Sequence, residues 1–244
     1  MIASNPISAD ATRIVLFDVD NTIVEARPGS GGMVNPYLVT LERMLVDAGR
    51  APDLDAAQAM VERQINGDGA CDIAEYLPAF GVNERDYLAA ATDRLRPSIR
   101  ALPDAVAALR GLAQRGYRLY PATTNSRSAC ITKLAAVGLG DDTGSPLFVD
   151  LFGGSQLCPE GKTSPDFYRA LLRRIDAAAD EVVMVGDDAH ADLALARAAG
   201  ITRVVLPRRD QREDCVVEAD GGVYVRSLER LLDWLPPRDG ADVD

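Results

Sequence analysis

The chain is predicted to adopt an α/β fold, a doubly wound parallel sheet into which an all-helical cap domain is inserted. Three features lead there. Short apolar runs rich in β-branched residues recur through the second half, each alternating with a stretch of helical spacing. A first such run, Ile14–Phe17, stands near the start and ends in an acidic turn. Between them lies a long stretch with helical periodicity and no strand pattern.

Ile14-Val15-Leu16-Phe17 is apolar at every position, as a strand buried on both faces should be. The polar turn Asp18-Val19-Asp20-Asn21-Thr22 follows, then a flexible linker from Arg27 to Gly32. The glycines of that linker are not followed by the Lys and Ser or Thr of a nucleotide-binding loop, so it reads as a hinge. From about Asn35 to Arg96 the pattern is helical. Tyr37, Leu38, Leu41, Met44, Leu45 and Ala48 share one face, with Gly49 as a stop. Asp55–Ile65 is the next helix, ending at Asn66-Gly67-Asp68-Gly69, and Cys71–Phe80 and Glu84–Leu95 follow.

After Pro97 helix and strand alternate. The predicted helices are Asp104–Arg115, Arg127–Val137, Ser164–Ile175, Asp192–Ala199 and Leu228–Trp234. The predicted strands are Tyr117–Ala122, Leu147–Phe152, Glu181–Val185, Thr202–Leu206 and Val223–Val225. Residues 1–26 and 97–244 are therefore assigned to the core and 27–96 to the helical cap, with a frayed acidic tail from Arg238.

Composition narrows the class. A chain of 244 residues with 47% hydrophobic and 26% charged residues is ordinary for a soluble globular protein. Its net charge of -11 opposes a nucleic-acid partner, and no basic stripe interrupts that balance. No apolar run suits a membrane span, and the first residues lack the pattern of a secretory signal. Cys71, Cys130, Cys158 and Cys215 form no paired motif and read as free thiols. A cytoplasmic protein, monomer or homodimer, is expected.

In parallel sheets ligands bind beyond the carboxyl ends of the strands. Those ends carry Asp18 and Asp20, then Thr123-Thr124-Asn125-Ser126, then Gly186-Asp187-Asp188 with Asp192, and a loop adds Lys162. Carboxylates gathered this closely repel unless a cation intervenes, and hard oxygen ligands without His or Cys point to Mg2+. Magnesium pairs with phosphate. One carboxylate can then attack phosphorus, a second can shuttle a proton, and a hydroxyl and an amine can hold the phosphoryl oxygens.

The same motifs resemble those of the haloacid dehalogenase superfamily. Phe17-Asp18-Val19-Asp20-Asn21-Thr22 is similar to its first motif, Thr124-Asn125 to its second and Lys162 to its third. Val185-Gly186-Asp187-Asp188 with Asp192, running into Ala198-Ala199-Gly200, resembles its fourth. The likeness covers about Arg13–Leu206, with the helical stretch where that family places its cap. Thr163 stands where many relatives carry proline.

The resemblance implies a Rossmann-like core and roles by position. Asp18 would be nucleophile and metal ligand. Asp20 would be general acid and base, with its backbone carbonyl on the metal. Thr124 and the Asn125 backbone would bind the phosphoryl group and Lys162 would neutralise it. Asp187 would ligate the metal, and Asp188 and Asp192 would bind its waters or brace the loop. Cap residues Arg27, Arg63, Asn66 and Asp68 are candidates for substrate binding by polarity and position.

Each residue alone has a bland reading. Asp18 and Asp20 could be turn residues, Thr124–Ser126 a helix cap, Lys162 a surface lysine and Asp187-Asp188 a solvated turn. His190 reads as a solvated loop residue and Arg208–Arg212 as a mixed-charge surface loop. Four motifs in order favour a phosphatase acting on a small phosphorylated metabolite. A phosphomutase, a haloacid dehalogenase and a non-catalytic phosphate sensor are the alternatives.

Overall fold

The apolar run Ile14–Phe17 forms β1, with all four residues buried. It pairs in parallel along both edges, with β4 (Arg118–Pro121) on one side and β5 (Val182–Val185) on the other. β6 (Arg203–Pro207) and β8 (Val223–Val225) extend the sheet in parallel, and β7 (Cys215–Val217) closes it antiparallel to β8. The spatial order is β4-β1-β5-β6-β8-β7. The computed structural model describes residues 6–7, 11–33, 35–65, 72–158 and 160–238.

Alternate residues of a strand point to opposite faces, and the core divides accordingly. Val15, Phe17, Val183, Val185 and Val205 pack with Leu109 and Leu112 of α4 (Pro103–Gln114), Ile131 and Leu134 of α5 (Arg127–Ala136) and Trp234 of α9 (Arg230–Trp234). Ile14, Leu16, Val182, Met184 and Val204 pack with Phe167, Tyr168 and Leu171 of α7 (Pro165–Arg174) and Ala196 of α8 (Leu195–Ala198). One further short helix, α6 (Gly154–Leu157), precedes α7. Helices thus cover both faces, as a doubly wound sheet requires.

The helical insert comprises α1 (Tyr37–Asp47), α2 (Leu54–Ile65), a 3-10 segment Ile73–Phe80 and α3 (Glu84–Leu95). Leu41, Leu45, Ala57, Val61, Leu77 and Tyr87 fill its interior. The chain leaves for it along β2 (Val24–Ala26) and returns along β3 (Ile99–Ala101), paired antiparallel. α3 packs along α5. No helix among the described residues is long and apolar enough to cross a membrane.

Several predicted elements are corrected. Leu147–Phe152 is not a strand. Only the Val149 N–H reaches the ladder, donating to the Leu119 carbonyl at 3.0 Å. Its apolar residues Phe148, Leu151 and Phe152 are buried by packing instead. The helix predicted from Asp192 begins earlier, as a π-helical turn Ala189–Ala194 that leads into α8. The helix predicted over Cys71–Phe80 is 3-10 from Ile73, with Pro78 inside it. Cys71 and the Asn66–Gly69 turn lie outside the described residues, as does the tail after Arg238. Arg238 itself is tied down, its N–H on the Arg115 carbonyl at 3.1 Å.

The turn after β1 is tight. The N–H groups of Ile23 and Val24 both donate to the Val19 carbonyl, at 2.9 and 3.0 Å, which requires Asn21 to take φ 57°. Asn tolerates this left-handed conformation better than most side-chain-bearing residues, and a β-branched residue tolerates it badly. Asn21→Val is expected to lower the unfolding free energy by about 1–2 kcal/mol in urea titration, whereas Asn21→Gly stays within about 0.5 kcal/mol. Equal stability of the two variants would contradict the strain argument.

Candidate active site

Three adjacent strands, β4, β1 and β5, end side by side. The register sets Phe17 opposite Pro121 and Val185, so the next residues, Asp18, Ala122 and Gly186, share one edge. The Asp18 N–H donates to the Val185 carbonyl at 2.8 Å, and the Ala122 N–H to the Phe17 carbonyl at 2.7 Å. The acidic turn is therefore fixed to both neighbouring strands at the residue that carries the first carboxylate.

Lys162 enters from the loop before α7 and is 6% exposed. Its Nζ donates to Asp18 Oδ1 at 2.9 Å and to the Ala122 carbonyl at 2.7 Å, and pairs with Asp192 Oδ1. An ammonium has three N–H donors, and all three are used. Asp192, 1% exposed, also accepts the Asp188 N–H on Oδ2 at 3.0 Å. Its carboxylate lies so close to the β5 end that a Cβ on Gly186 would stand 2.1 Å from Asp192 Oδ2, which only glycine avoids.

Burial pushes the Asp18 carboxyl up to about 7; Lys162 opposes the rise, and Asp192 and Asp187 add to it. Partial burial and then Asp192 likewise raise Asp187. Burial works against the Lys162 ammonium, but Asp18 and Asp192 outweigh it and hold its pKa above the ordinary value. Asp188 is lowered by the Ala191 N–H, with burial opposing and the His190 N–H assisting; both donate to its Oδ1 at 2.7 Å.

Asp18, Asp187 and Asp192 each present an oxygen within 4.8 Å of the others. Three carboxylate oxygens gathered over that span suit a divalent cation. With all three ionised against Lys162, two negative charges are in surplus, which a divalent cation would offset. The other two predicted metal residues direct their side chains elsewhere. Asp188 caps the π-helical turn, in keeping with a bracing role, and Asp20 belongs to a second network.

In that network Asn125 Nδ2 donates to Asp20 Oδ2 at 2.9 Å and to Thr123 Oγ1 at 2.8 Å. Lys133 Nζ donates to both Asp20 oxygens and to Asn125 Oδ1, each at 2.7 Å. Thr124, the threonine singled out from the sequence, is exposed, and the hydroxyl joined to the network belongs to buried Thr123. The loop is backed by Gly154, whose N–H donates to the Asn125 carbonyl at 2.9 Å. A Cβ there would meet the Thr123 carbonyl oxygen at 2.6 Å. Ser126 caps α5, its side chain accepting the Ala129 N–H.

Two residues escaped the sequence reading. Lys133 is one; the only signal is a lysine in a helix that, after Arg127, otherwise holds small, hydroxyl and apolar residues. Arg209 is the other, in the loop read as mere surface. Its guanidinium donates to the carbonyls of Asn21 at 3.2 Å and Thr22 at 3.1 Å, and its Nε to Asp104 at 3.1 Å, bracing the acidic turn. The candidates for substrate contact are not gathered in. Arg27 donates to the Ile99 carbonyl at 3.0 Å, Arg63 is exposed on α2, and Asn66 and Asp68 lie outside the described residues. His190 is exposed.

Residues 12–200 match the family model described as haloacid dehalogenase-like hydrolase. A phosphoglycolate phosphatase of Rhodospirillum rubrum is 30% identical over 94% of this chain and 94% of its own. Among solved structures, a phosphatase of the same superfamily from Thermococcus onnurineus aligns with a TM-score of 0.55 at 21% identity, over 93% of this chain and 99% of its own. An L-2-haloacid dehalogenase aligns with a TM-score of 0.54 at 17% identity, over 92% and 98%. At such identities the structural likeness speaks for the fold alone.

The raised Asp18 carboxyl gives cation binding a definite pH dependence. With a pKa of about 7 it is largely protonated near pH 6 and ionised near pH 8.5. A divalent cation requires the carboxylate, so binding near pH 6 displaces up to about one proton and is weaker than near pH 8.5. Titration calorimetry with Mg2+ in buffers of different ionisation enthalpy measures both. Affinity that does not change with pH, with no proton released, would contradict the burial of Asp18 among acids.

Proposed function

Because the chain belongs to the haloacid dehalogenase-like hydrolase family, we propose that it hydrolyses small phosphomonoesters through a phosphorylated Asp18. The observation that carries this reading is the surplus of carboxylates around one buried ammonium at the strand ends. Asp18, Asp187 and Asp192 exceed Lys162 in charge and lie within reach of one cation. Magnesium held by these three would offset that charge and the charge of the phosphoryl oxygens.

One Asp18 oxygen attacks phosphorus, and the ester oxygen leaves with a proton from Asp20. Asp20 then takes a proton from water, which attacks phosphorus and frees phosphate and the Asp18 carboxylate. Lys162 orients Asp18 and favours its ionised form before attack, and it faces the phosphoryl group while Asp18 is phosphorylated. The loop of Thr123, Thr124 and Asn125 lies beside Asp20 and supplies hydroxyl and amide donors for the phosphoryl oxygens. The helical insert, residues 27–96, serves as a cap that favours small substrates by excluding macromolecules and bulk water. Phosphoglycolate is the first substrate to test, given the Rhodospirillum relative.

The dehalogenase alternative is disfavoured by Asp20 together with the acidic fourth motif, since carbon–halogen cleavage needs neither an acid for the leaving group nor a metal. A mutase shares these residues and differs in product. The test is phosphate release from phosphoglycolate, sugar phosphates, nucleoside monophosphates and an aryl phosphate, with magnesium and with chelator. Release that needs magnesium and falls at least about 10³-fold in Asp18→Asn is expected, in line with loss of a covalent nucleophile. Isomerisation of a sugar phosphate without release would favour the mutase. Phosphate binding without turnover would favour a sensor.

A further inference from the structure

The ammonium on Asp20 takes no part in the chemistry just described, and its surroundings are built. Lys133 sits on α5, where every residue from Ser128 to Ala136 is buried, and its side chain is only 8% exposed. A lysine is placed there at a cost that must be met by partners. It has them in full: its three N–H donors match three acceptors, Asp20 Oδ1, Asp20 Oδ2 and Asn125 Oδ1, each at 2.7 Å.

Asn125 completes the arrangement. Its Nδ2 serves Asp20 Oδ2 and Thr123 Oγ1, and its Oδ1 faces Lys133. A flipped amide would turn its NH2 toward the ammonium and its oxygen toward the carboxylate, so one orientation is fixed. The Asp20 carboxylate thereby receives hydrogen bonds on both oxygens from two side chains, yet its side chain remains 36% exposed. It is gripped without being enclosed.

The helix that carries Lys133 is itself anchored. Asp72 of the insert accepts the Ser128 N–H at 3.0 Å, and Tyr37 of the insert shares a 3.0 Å hydrogen bond with Thr132, the residue before Lys133. Lys133 is therefore a post on a rigid element rather than a long side chain searching in solvent. We propose that Lys133 is a positioning residue for Asp20, holding the proton-transferring carboxylate in register with the ester oxygen and then with water. This rests on the phosphatase reading above. Each working carboxylate then has its own lysine from a different element, Lys162 for Asp18 and Lys133 for Asp20. A displacement of about 1 Å at a catalytic group can cost on the order of 10²-fold in rate.

A double-mutant cycle tests it in the full-length protein with magnesium and the best ester of the panel. Lys133→Met is expected to lower kcat by about 30- to 300-fold with KM changed less than about threefold. Asp20→Asn lowers kcat by about 10²- to 10⁴-fold. Adding Lys133→Met to Asp20→Asn should cost less than a further ~3-fold, because the lysine acts through the missing carboxylate. Urea unfolding accompanies each variant, and Lys133→Gln takes the place of Lys133→Met if the latter does not fold. A normal kcat in the lysine variant, a loss confined to KM, or an undiminished loss in the Asp20→Asn background overturns the proposal. Failure of both lysine variants to fold assigns Lys133 to stability and overturns it too. An inactive wild-type protein sinks the phosphatase reading and this proposal with it; an active wild type beside an active lysine variant sinks this one alone.

Discussion

The buried ammonium of Lys162 is the constraint on which the rest of the strand-end architecture depends. Removing a charge from water costs several kcal/mol unless partners replace the lost hydration. Lys162 is compensated by Asp18, Asp192 and the Ala122 carbonyl, which come from three different segments of the chain. Those segments can meet only if β4, β1 and β5 are adjacent, parallel and in the observed register. The compensation is also incomplete in a useful way. One ammonium cannot neutralise three acids; burial lifts Asp18 to about 7, Asp192 and Asp187 add to the rise, and their surplus of negative charge suits a divalent cation. The mutual repulsion of the clustered acids and their capacity for a cation are one property.

Local sequence features follow from that constraint. Gly186 leaves room for the Asp192 carboxylate where any side chain would collide with it. Gly154 lets the start of α6 press against the Thr123–Asn125 loop. Arg209 fastens the carbonyls of Asn21 and Thr22, so the turn bearing Asp18 and Asp20 is held from the far side as well. Asp188 caps the π-helical turn that presents Asp192. Rigid supports around the carboxylates limit how far the charges can relax apart, which keeps the cluster poised.

Much of this was legible because the signals are periodic or chemically pure. Ile14–Phe17 and Val182–Val185 are continuous apolar runs, as strands covered on both faces should be, and acids follow each of them at one edge of the sheet. What escaped has physical reasons. β2, β3 and β7 are three residues each, too short for a period to show. Leu147–Phe152 has strand composition, but its burial comes from packing beside β4 rather than from a ladder. Thr123 and Thr124 are adjacent and identical, so spacing alone does not say which hydroxyl faces Asn125; the backbone turn does. Lys133 and Arg209 resemble solvated cations in one dimension and become structural only when distant carboxylates and carbonyls are brought to them. Arg27 was selected by polarity and is used instead on the Ile99 carbonyl.

The claim that Asp18 becomes phosphorylated is open to direct observation. Turnover with a reactive phosphomonoester and magnesium would be quenched in acid, and the protein reduced with borohydride, which converts an acyl phosphate to an alcohol. Digestion and mass spectrometry then locate the reduced position. Reduction at Asp18, absent without substrate and absent in Asp18→Asn, is the expected result. Phosphate release with no reduced residue, or reduction at Asp20 or Asp187 instead, would contradict the assignment of the nucleophile and with it the reading of the whole site.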